Sequence, residues 1–336
     1  MDPVGSVDRS PAVVFGAGGF VGRAVCAALL AAGRPVTAVL RSPADLPAGC
    51  RALPLDAVRC DPAALAAGLG ALRPGLVVNA AGALWNVTDR ELTEGNVLLV
   101  ERLVRAVTTL PGPVRLVHIG SAYEYGAQAG PSRLTETLHA RPAGRYAQTK
   151  LAGTRIVTEA AAGGLLDAVV LRIAVAVGPF ASRHSLLGGL ARQLAEGPVE
   201  LTLPPIAGVR DLVDVRDVAD AVLAAARVRR APALVNIGSG TGVRLTEAVD
   251  TLIRIAGPRA ATARVVRGPA PTVRRDTGIG EQALDIGLAR RELGWAPART
   301  LTDALHALWD SVQDTAPASP TTLAATLAVD GETIHG

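Results

Sequence analysis

The chain has 336 residues, 49% hydrophobic and 19% charged, a balance that excludes a disordered polypeptide and leaves room for two domains or one extended α/β unit at roughly 150 residues per domain. The net charge of +4 is spread over scattered arginines and only 3% of residues are aromatic, which excludes a basic tract or base-stacking platform for nucleic acid; a mild positive excess suits an anionic small molecule. No apolar run reaches the roughly 18 residues of a membrane span, and Met1 to Ser10 lacks a signal peptide's apolar stretch, so the expectation is a cytoplasmic protein with no membrane partner.

Ala12 to Phe15 is a short apolar strand. It runs into a glycine cluster and then into Val21 to Ala32, whose alanines and leucines read as a buried helix closed by Gly33. Pro35 to Leu40, Arg51 to Leu55, Leu76 to Asn79, Val114 to Ile119 and Ala168 to Ile173 follow as strands, with helical stretches between them. Alternating strands and helices without two-residue hairpin turns point to a parallel sheet covered on both faces, a Rossmann-type doubly wound α/β fold. After Gly178-Pro179 the pattern loosens into loops and helices up to Arg210; Val213 to Ala226 then reads as a helix and Leu234 to Ile237 as a last strand. The expected division is a dinucleotide-binding domain over 1–177, with 212–238 returning to it, and a smaller C-terminal substrate-binding domain over 178–211 and 239–315. Residues 316–336, with Pro317, Pro320 and several threonines, read as a flexible tail.

Gly16, Gly18, Gly19 and Gly22 follow the first strand and open the first helix, where glycines let the backbone approach a pyrophosphate seated on the helix N-terminus. Phe20 and Val21 belong to the same cofactor turn, and Ala80, Ala81 and Gly82, after the Leu76–Asn79 strand, are assigned to the cofactor as well. An acidic residue at the end of the second strand would hold the ribose hydroxyls of NAD. That position is Arg41, which can grip a 2′-phosphate through charge-assisted hydrogen bonds, with Ser42 beside it; NADP(H) is therefore the expected cofactor and NAD(H) the other possibility. Asp56 is placed either on the adenine amine or as a turn-capping residue.

Lys150 is the only lysine in the chain and Tyr146 one of three tyrosines. Their spacing of four sets both on one helical face. Delivery of a hydride to a ketone creates an alkoxide that needs a proton, and a phenol can donate it. A neighbouring ammonium favours the phenolate, and the expectation is that Lys150 depresses the Tyr146 pKa by about three units. Ser121, just beyond the fourth clear strand, faces the ligand crevice of such sheets and could hold the substrate oxygen, although a serine there is also a common cap. His118, His139, His184, His306 and His335 form no metal-spaced pair, His118 reads as a packed core residue, and Cys26, Cys50 and Cys60 have no metal spacing, so no metal is expected. The surroundings of Ser121 do not supply a hydrolase nucleophile elbow.

In order along about residues 12 to 310, Gly16-Ala17-Gly18-Gly19-Phe20-Val21-Gly22, Asn96-Val97, Ser121, Tyr125-Gly126, Tyr146 to Lys150, Gly178-Pro179, Arg210-Asp211, Asn236-Ile237-Gly238 and Leu293-Gly294-Trp295 resemble the extended short-chain dehydrogenases/reductases of the NAD-dependent epimerase/dehydratase group. The resemblance implies a catalytic triad of Ser121, Tyr146 and Lys150, Asn96 near the nicotinamide, and Arg210 with Arg274 or Arg275 on a nucleotide-sugar diphosphate. The family's dehydratases carry an Asp-Glu pair where this chain has Ala122 and Tyr123, which argues against dehydration. Its epimerases usually carry an asparagine where this chain has Val175. What remains resembles NADPH-dependent ketoreductases acting at C4 of nucleotide-activated deoxysugars in natural-product pathways. An epimerase, a reductase of another ketone and a non-catalytic dinucleotide sensor are the competing readings. The resemblance further implies a homodimer joined by helices at about Glu91 to Val107 and Tyr146 to Ala161.

Overall fold

The computed structural model describes residues 10–128, 133–196, 201–203, 208–257, 265–267 and 283–313. Arg274, Arg275 and the expected tail over 316–336 lie outside the described residues.

The first half of the chain alternates strand and helix: β1 (Ala12–Phe15), α1 (Phe20–Ala31), β2 (Val36–Leu40), β3 (Arg51–Pro54), α2 (Pro62–Leu72), β4 (Leu76–Asn79), α3 (Asp89–Thr93), α4 (Leu99–Thr108), β5 (Arg115–Ser121), α5 (Gly144–Ala162) and β6 (Asp167–Ile173). The second half carries β7 (Val175–Val177), α6 (Leu186–Glu196), β8 (Leu201–Leu203), β9 (Val209–Asp214), α7 (Val215–Arg227), β10 (Leu234–Ile237), β11 (Gly242–Arg244), α8 (Leu245–Ala256), β12 (Val265–Arg267) and α9 (Leu301–Gln313).

Seven strands form one parallel sheet in the order β10-β6-β5-β4-β1-β2-β3. The inner strands are buried on both faces, whereas the edge strand β3 is largely exposed, so successive residues of the inner strands serve different cores. Ala12 and Val14 pack with Val25 and Leu29 of α1 and Val218 and Val222 of α7, whereas Val13 and Phe15 pack with Leu65 of α2, Leu103 of α4 and Val157 of α5. Helix α7 returns to lie along α1, where Arg115 of β5 secures it by donating to the carbonyls of Ala225 and Val228 at its C-terminal end and pairing with Asp167 at 2.9 Å. A cation among carbonyls at a helix C-terminus is favoured by the helix dipole.

The chain doubles back between β1 and β4, and the crevice beyond their carboxyl ends is where open sheets of this kind take ligands. The two backbones nearly touch there: a Cβ on Gly16 would lie 2.5 Å from the Ala81 Cα.

A second sheet, β11-β9-β7, has β9 parallel to β7 and antiparallel to β11, and a third core joins it to α6, α8 and α9 through Leu190, Leu252 and Leu305. The looser segment therefore holds strands as well as helices. The expected helix over Val213 to Ala226 starts two residues late, because Val213 and Asp214 complete β9 and the Asp214 carboxylate caps α7 by accepting from Arg216 N–H at 2.8 Å. Residues 175–177 and 212–214 thus stand in the small sheet. Among the described residues no helix is long and apolar enough to cross a membrane.

Candidate active site

The glycine turn is closed by contact. Gly16 has φ +74, a left-handed conformation that glycine takes without strain, and a Cβ on Gly22 would lie 2.1 Å from the Gly16 carbonyl oxygen. Gly19 is the N-cap of α1 with no side-chain cap, and the first turn carries no acidic residue. The free N–H groups and positive end of α1 are therefore left for an anion, and a dinucleotide pyrophosphate fits them. Phe20 and Val21 form the start of that helix. A Cβ on Gly18 would lie 2.5 Å from the Ala44 Cβ, so the loop that begins with the exposed Arg41 and Ser42 rides over the glycine turn. Arg23 of α1 ties the same loop down through Asp45 at 2.9 Å. Asp56 takes the turn role: its carboxylate accepts from Val58 and Arg59 N–H at 3.0 and 3.2 Å.

On the other side of the crevice, Asn79 accepts from Ala81 N–H at 3.1 Å and Ala80 N–H donates to the Phe15 carbonyl at 3.0 Å. Asn96 sits in a π-turn over Glu94–Leu98, between α3 and α4, and is fully engaged. Its Oδ1 accepts from Ala83 N–H at 3.0 Å, while its Nδ2 donates to the Ala83 carbonyl and to Thr149 Oγ1, each at 3.1 Å. Asn96 thus ties the wall that includes Ala80, Ala81 and Gly82 to the helix carrying Tyr146 and Lys150. Its amide is held by protein partners on both sides of the crevice. A Cβ at Gly153 would lie 2.4 Å from the Asn96 carbonyl oxygen, a clearance that only glycine provides.

Ser121 ends β5 and caps a 3-10 turn over Ala122–Tyr125, as its capping reading expected. Its hydroxyl accepts from Tyr123 N–H at 3.3 Å and lies beside the Tyr146 phenol, whose proton affinity it lowers. Tyr123 meets Tyr146 edge-on, with ring centroids 6.0 Å apart at 76°. One turn further along α5, the buried Lys150 donates from Nζ to the Ile119 carbonyl at 2.6 Å.

The expected depression of Tyr146 by Lys150 is corrected here. Burial pushes the phenol up to about 12; the adjacent Ser121 hydroxyl opposes the rise and the neighbouring Glu124 and Tyr123 reinforce it. Burial also brings Lys150 down to about 8 against the pull of Glu124. At neutral pH the phenol is protonated and the amine charged. That pair of states is the one a proton donor with a charge-stabilised conjugate base requires.

Glu124 is the residue that sequence reasoning missed. It is fully buried, accepts from Ser121 N–H at 2.7 Å and Thr154 Oγ1 at 3.0 Å, and pairs with Arg172 at 2.8 Å. The spacing Ser121-x-x-Glu124 is a capping-box signature that could have exposed it. Arg172 lies 4.4 Å over the Tyr125 ring, and the Tyr125 hydroxyl donates to Asn236 at 2.8 Å.

Four matching motifs contribute residues to structural contacts. Asp211 accepts from the N–H groups of Ser239, Gly240 and Leu284, and Tyr125 and Asn236 brace the sheet behind the site. The Trp295 indole donates to the Asp217 carbonyl at 3.1 Å. Arg210 lies buried in β9, bonded to the Val209 carbonyl at 2.9 Å. His118 is a core residue, as expected, with Asn79 on its Nδ1 at 3.0 Å and burial holding its pKa well below the usual range.

Comparison with known proteins points to one family. The family described as the NAD dependent epimerase/dehydratase family matches residues 12–238. A dTDP-6-deoxy-L-talose 4-dehydrogenase (NAD(P)(+)) of Kitasatospora kifunensis is 39% identical over 313 residues, covering 90% of this chain and 96% of the relative. A UDP-glucose 4-epimerase of Streptomyces lividans is 32% identical over 219 residues, covering 59% of this chain and 63% of the relative. Among solved structures, MoeE5 in complex with UDP-glucuronic acid and NAD superimposes with a TM-score of 0.77 at 26% identity, covering 91% of this chain and 100% of that one.

Proposed function

The chain belongs to the NAD-dependent epimerase/dehydratase family and is an NAD(P)-dependent oxidoreductase, and from that premise we propose that it reduces the C4 ketone of a nucleotide-activated 6-deoxyhexose, with NADPH preferred and NADH possible. The observation that carries the reading is a protonated Tyr146 phenol beside Ser121, at the carboxyl end of β5, with the buried Lys150 one helical turn behind it.

A bound reduced nicotinamide supplies the hydride. Ser121 orients the ketone oxygen beside the Tyr146 phenol. As the carbonyl π pair moves onto that oxygen, the phenolic proton passes to it and the alcohol is complete. Lys150 stabilises the resulting phenolate until solvent returns a proton. Tyr123 packs on Tyr146 where a dehydratase would present an acid, which supports simple reduction. The 2′-phosphate of NADPH is assigned to Arg41 and Ser42, and the diphosphate of the sugar nucleotide to Arg210 with Arg274 or Arg275.

The epimerase reading is favoured by the Streptomyces relative and by a putative epimerase among the solved structures, which superimposes with a TM-score of 0.79 at 27% identity. Incubation of the purified protein with NADPH and a dTDP-4-keto-6-deoxyhexose separates the two. A reductase consumes one NADPH per alcohol formed, whereas an epimerase interconverts 4-hydroxy sugars with no net loss of cofactor.

A further inference from the structure

Trp85 is 44% exposed, whereas Trp295 and Trp309 are 5% and 6% exposed. Leu84 beside it is 42% exposed. Two adjacent large apolar side chains left in water mark a surface built to be covered.

Their loop is held at both ends. Ala83 is clasped through its N–H and its carbonyl by Asn96, which also bonds Thr149 next to Lys150. Asn86, with the left-handed φ of +51, reaches across to His184 at 3.4 Å, in the segment that follows Gly178-Pro179. Trp85 is thus bracketed between a residue tied to the catalytic helix and a residue touching the opposite side. That bracket follows the carboxyl end of β4 and is tied through Asn96 to the helix of Tyr146, on the side of the crevice where the reacting sugar must lie if the proposed function holds. The end nearer the glycine turn belongs to the cofactor.

We propose that the Trp85 indole, flanked by Leu84, is the platform on which the hexose ring of the nucleotide sugar rests, and that it selects sugars whose C6 is a methyl group. A pyranose presents a face of C–H groups, and a flat indole covers such a face at little conformational cost. A C6 methyl adds apolar area to that contact. A C6 hydroxyl or carboxylate would be stripped of water against an indole, and residues 80–88, Ala-Ala-Gly-Ala-Leu-Trp-Asn-Val-Thr, contain no charged side chain to receive it. An apolar surface rejects an added hydroxyl by no more than about 10²-fold, so a preference near tenfold is the expected scale.

This assignment rests on the nucleotide-sugar reading, and fluorescence tests it separately, because the other two tryptophans are buried. Acrylamide quenching of the intact protein with NADP⁺ bound is measured alone, with dTDP, and with dTDP-6-deoxy-L-talose. The sugar nucleotide should abolish the quenchable fraction, dTDP should leave it, and Trp85→Phe should lack it from the start. In turnover, Trp85→Ala should lose about tenfold in kcat/KM for the 6-deoxy ketone and nearly all preference over its 6-hydroxy counterpart, with the KM for NADPH unchanged. Wild-type enzyme that turns over the sugar nucleotide while Trp85 stays equally quenchable, or a Trp85→Ala enzyme that keeps its 6-deoxy preference, overturns the platform and leaves the reductase standing. Failure of the reductase reading shows instead as wild-type enzyme that consumes no NADPH with any nucleotide ketosugar, and the platform falls with it.

Discussion

The Glu124 carboxylate and the Arg172 guanidinium pair at 2.8 Å behind Ser121, with only 0% and 4% of the two side chains exposed. Removing the charge from one partner strands the other in a medium that cannot solvate it. Glu124→Gln should therefore cost about 3–5 kcal/mol of stability, read as a lower urea midpoint. A much smaller loss would mean that water reaches Arg172 and that the pair does not brace Ser121.

Lys150 acts as a compact ammonium, and a guanidinium cannot occupy the same space while donating to the Ile119 carbonyl at 2.6 Å. Lys150→Arg should lower kcat by about 10²-fold or more, as should Tyr146→Phe, while circular dichroism remains native. A folded Lys150→Arg enzyme with near-normal kcat would remove the ammonium from the mechanism.

The two perturbed groups give stability a pH signature. Lys150 is held at about 8 in the folded protein, below its ordinary 10.5, so between these values the unfolded chain binds more protons and stability rises with pH. The gain from this group is at most about 3 kcal/mol. Tyr146 runs the other way: its phenol is held at about 12 rather than 10, so above pH 10 the folded protein binds more protons and stability falls. Urea unfolding between about pH 7.5 and 9.5 should show the rise in wild-type protein and its absence in Lys150→Met. Parallel curves for the two proteins would place Lys150 in contact with water.

Arg41 is exposed at the end of β2, over the glycine turn. Arg41→Ala should raise the KM for NADPH by about tenfold or more, the worth of a charge-assisted hydrogen bond, and leave that for NADH nearly unchanged. Equal effects on both cofactors would take the 2′-phosphate away from this residue.

The strand, glycine turn and helix at the start of the chain were legible in sequence because each depends on neighbours within a few residues. Tyr146 and Lys150 were legible for the same reason, being one helical turn apart. The charges that set their proton affinities were not. Glu124 meets Arg172 48 positions away and Asn96 meets Thr149 53 positions away, distances that no local pattern spans. The expected influence of Lys150 on Tyr146 failed on the same ground, since burial is a property of the whole packed site and it outweighs a single neighbour. Strand β9 was hidden because Arg210-Asp211 has the polarity of a surface loop. In the fold Asp211 is surrounded by backbone N–H donors and both residues are buried.

With one ε-amine in the entire chain, and that one 4% exposed, the outer surface offers amine-directed reagents almost nothing beyond the α-amino group. A succinimidyl ester dye should therefore give singly labelled protein, and a second label appearing slowly would mark moments when α5, which carries Lys150, lifts away from β5. The rate of that second labelling, followed by mass spectrometry, becomes a clock for local opening. Any ligand that closes the crevice should slow it.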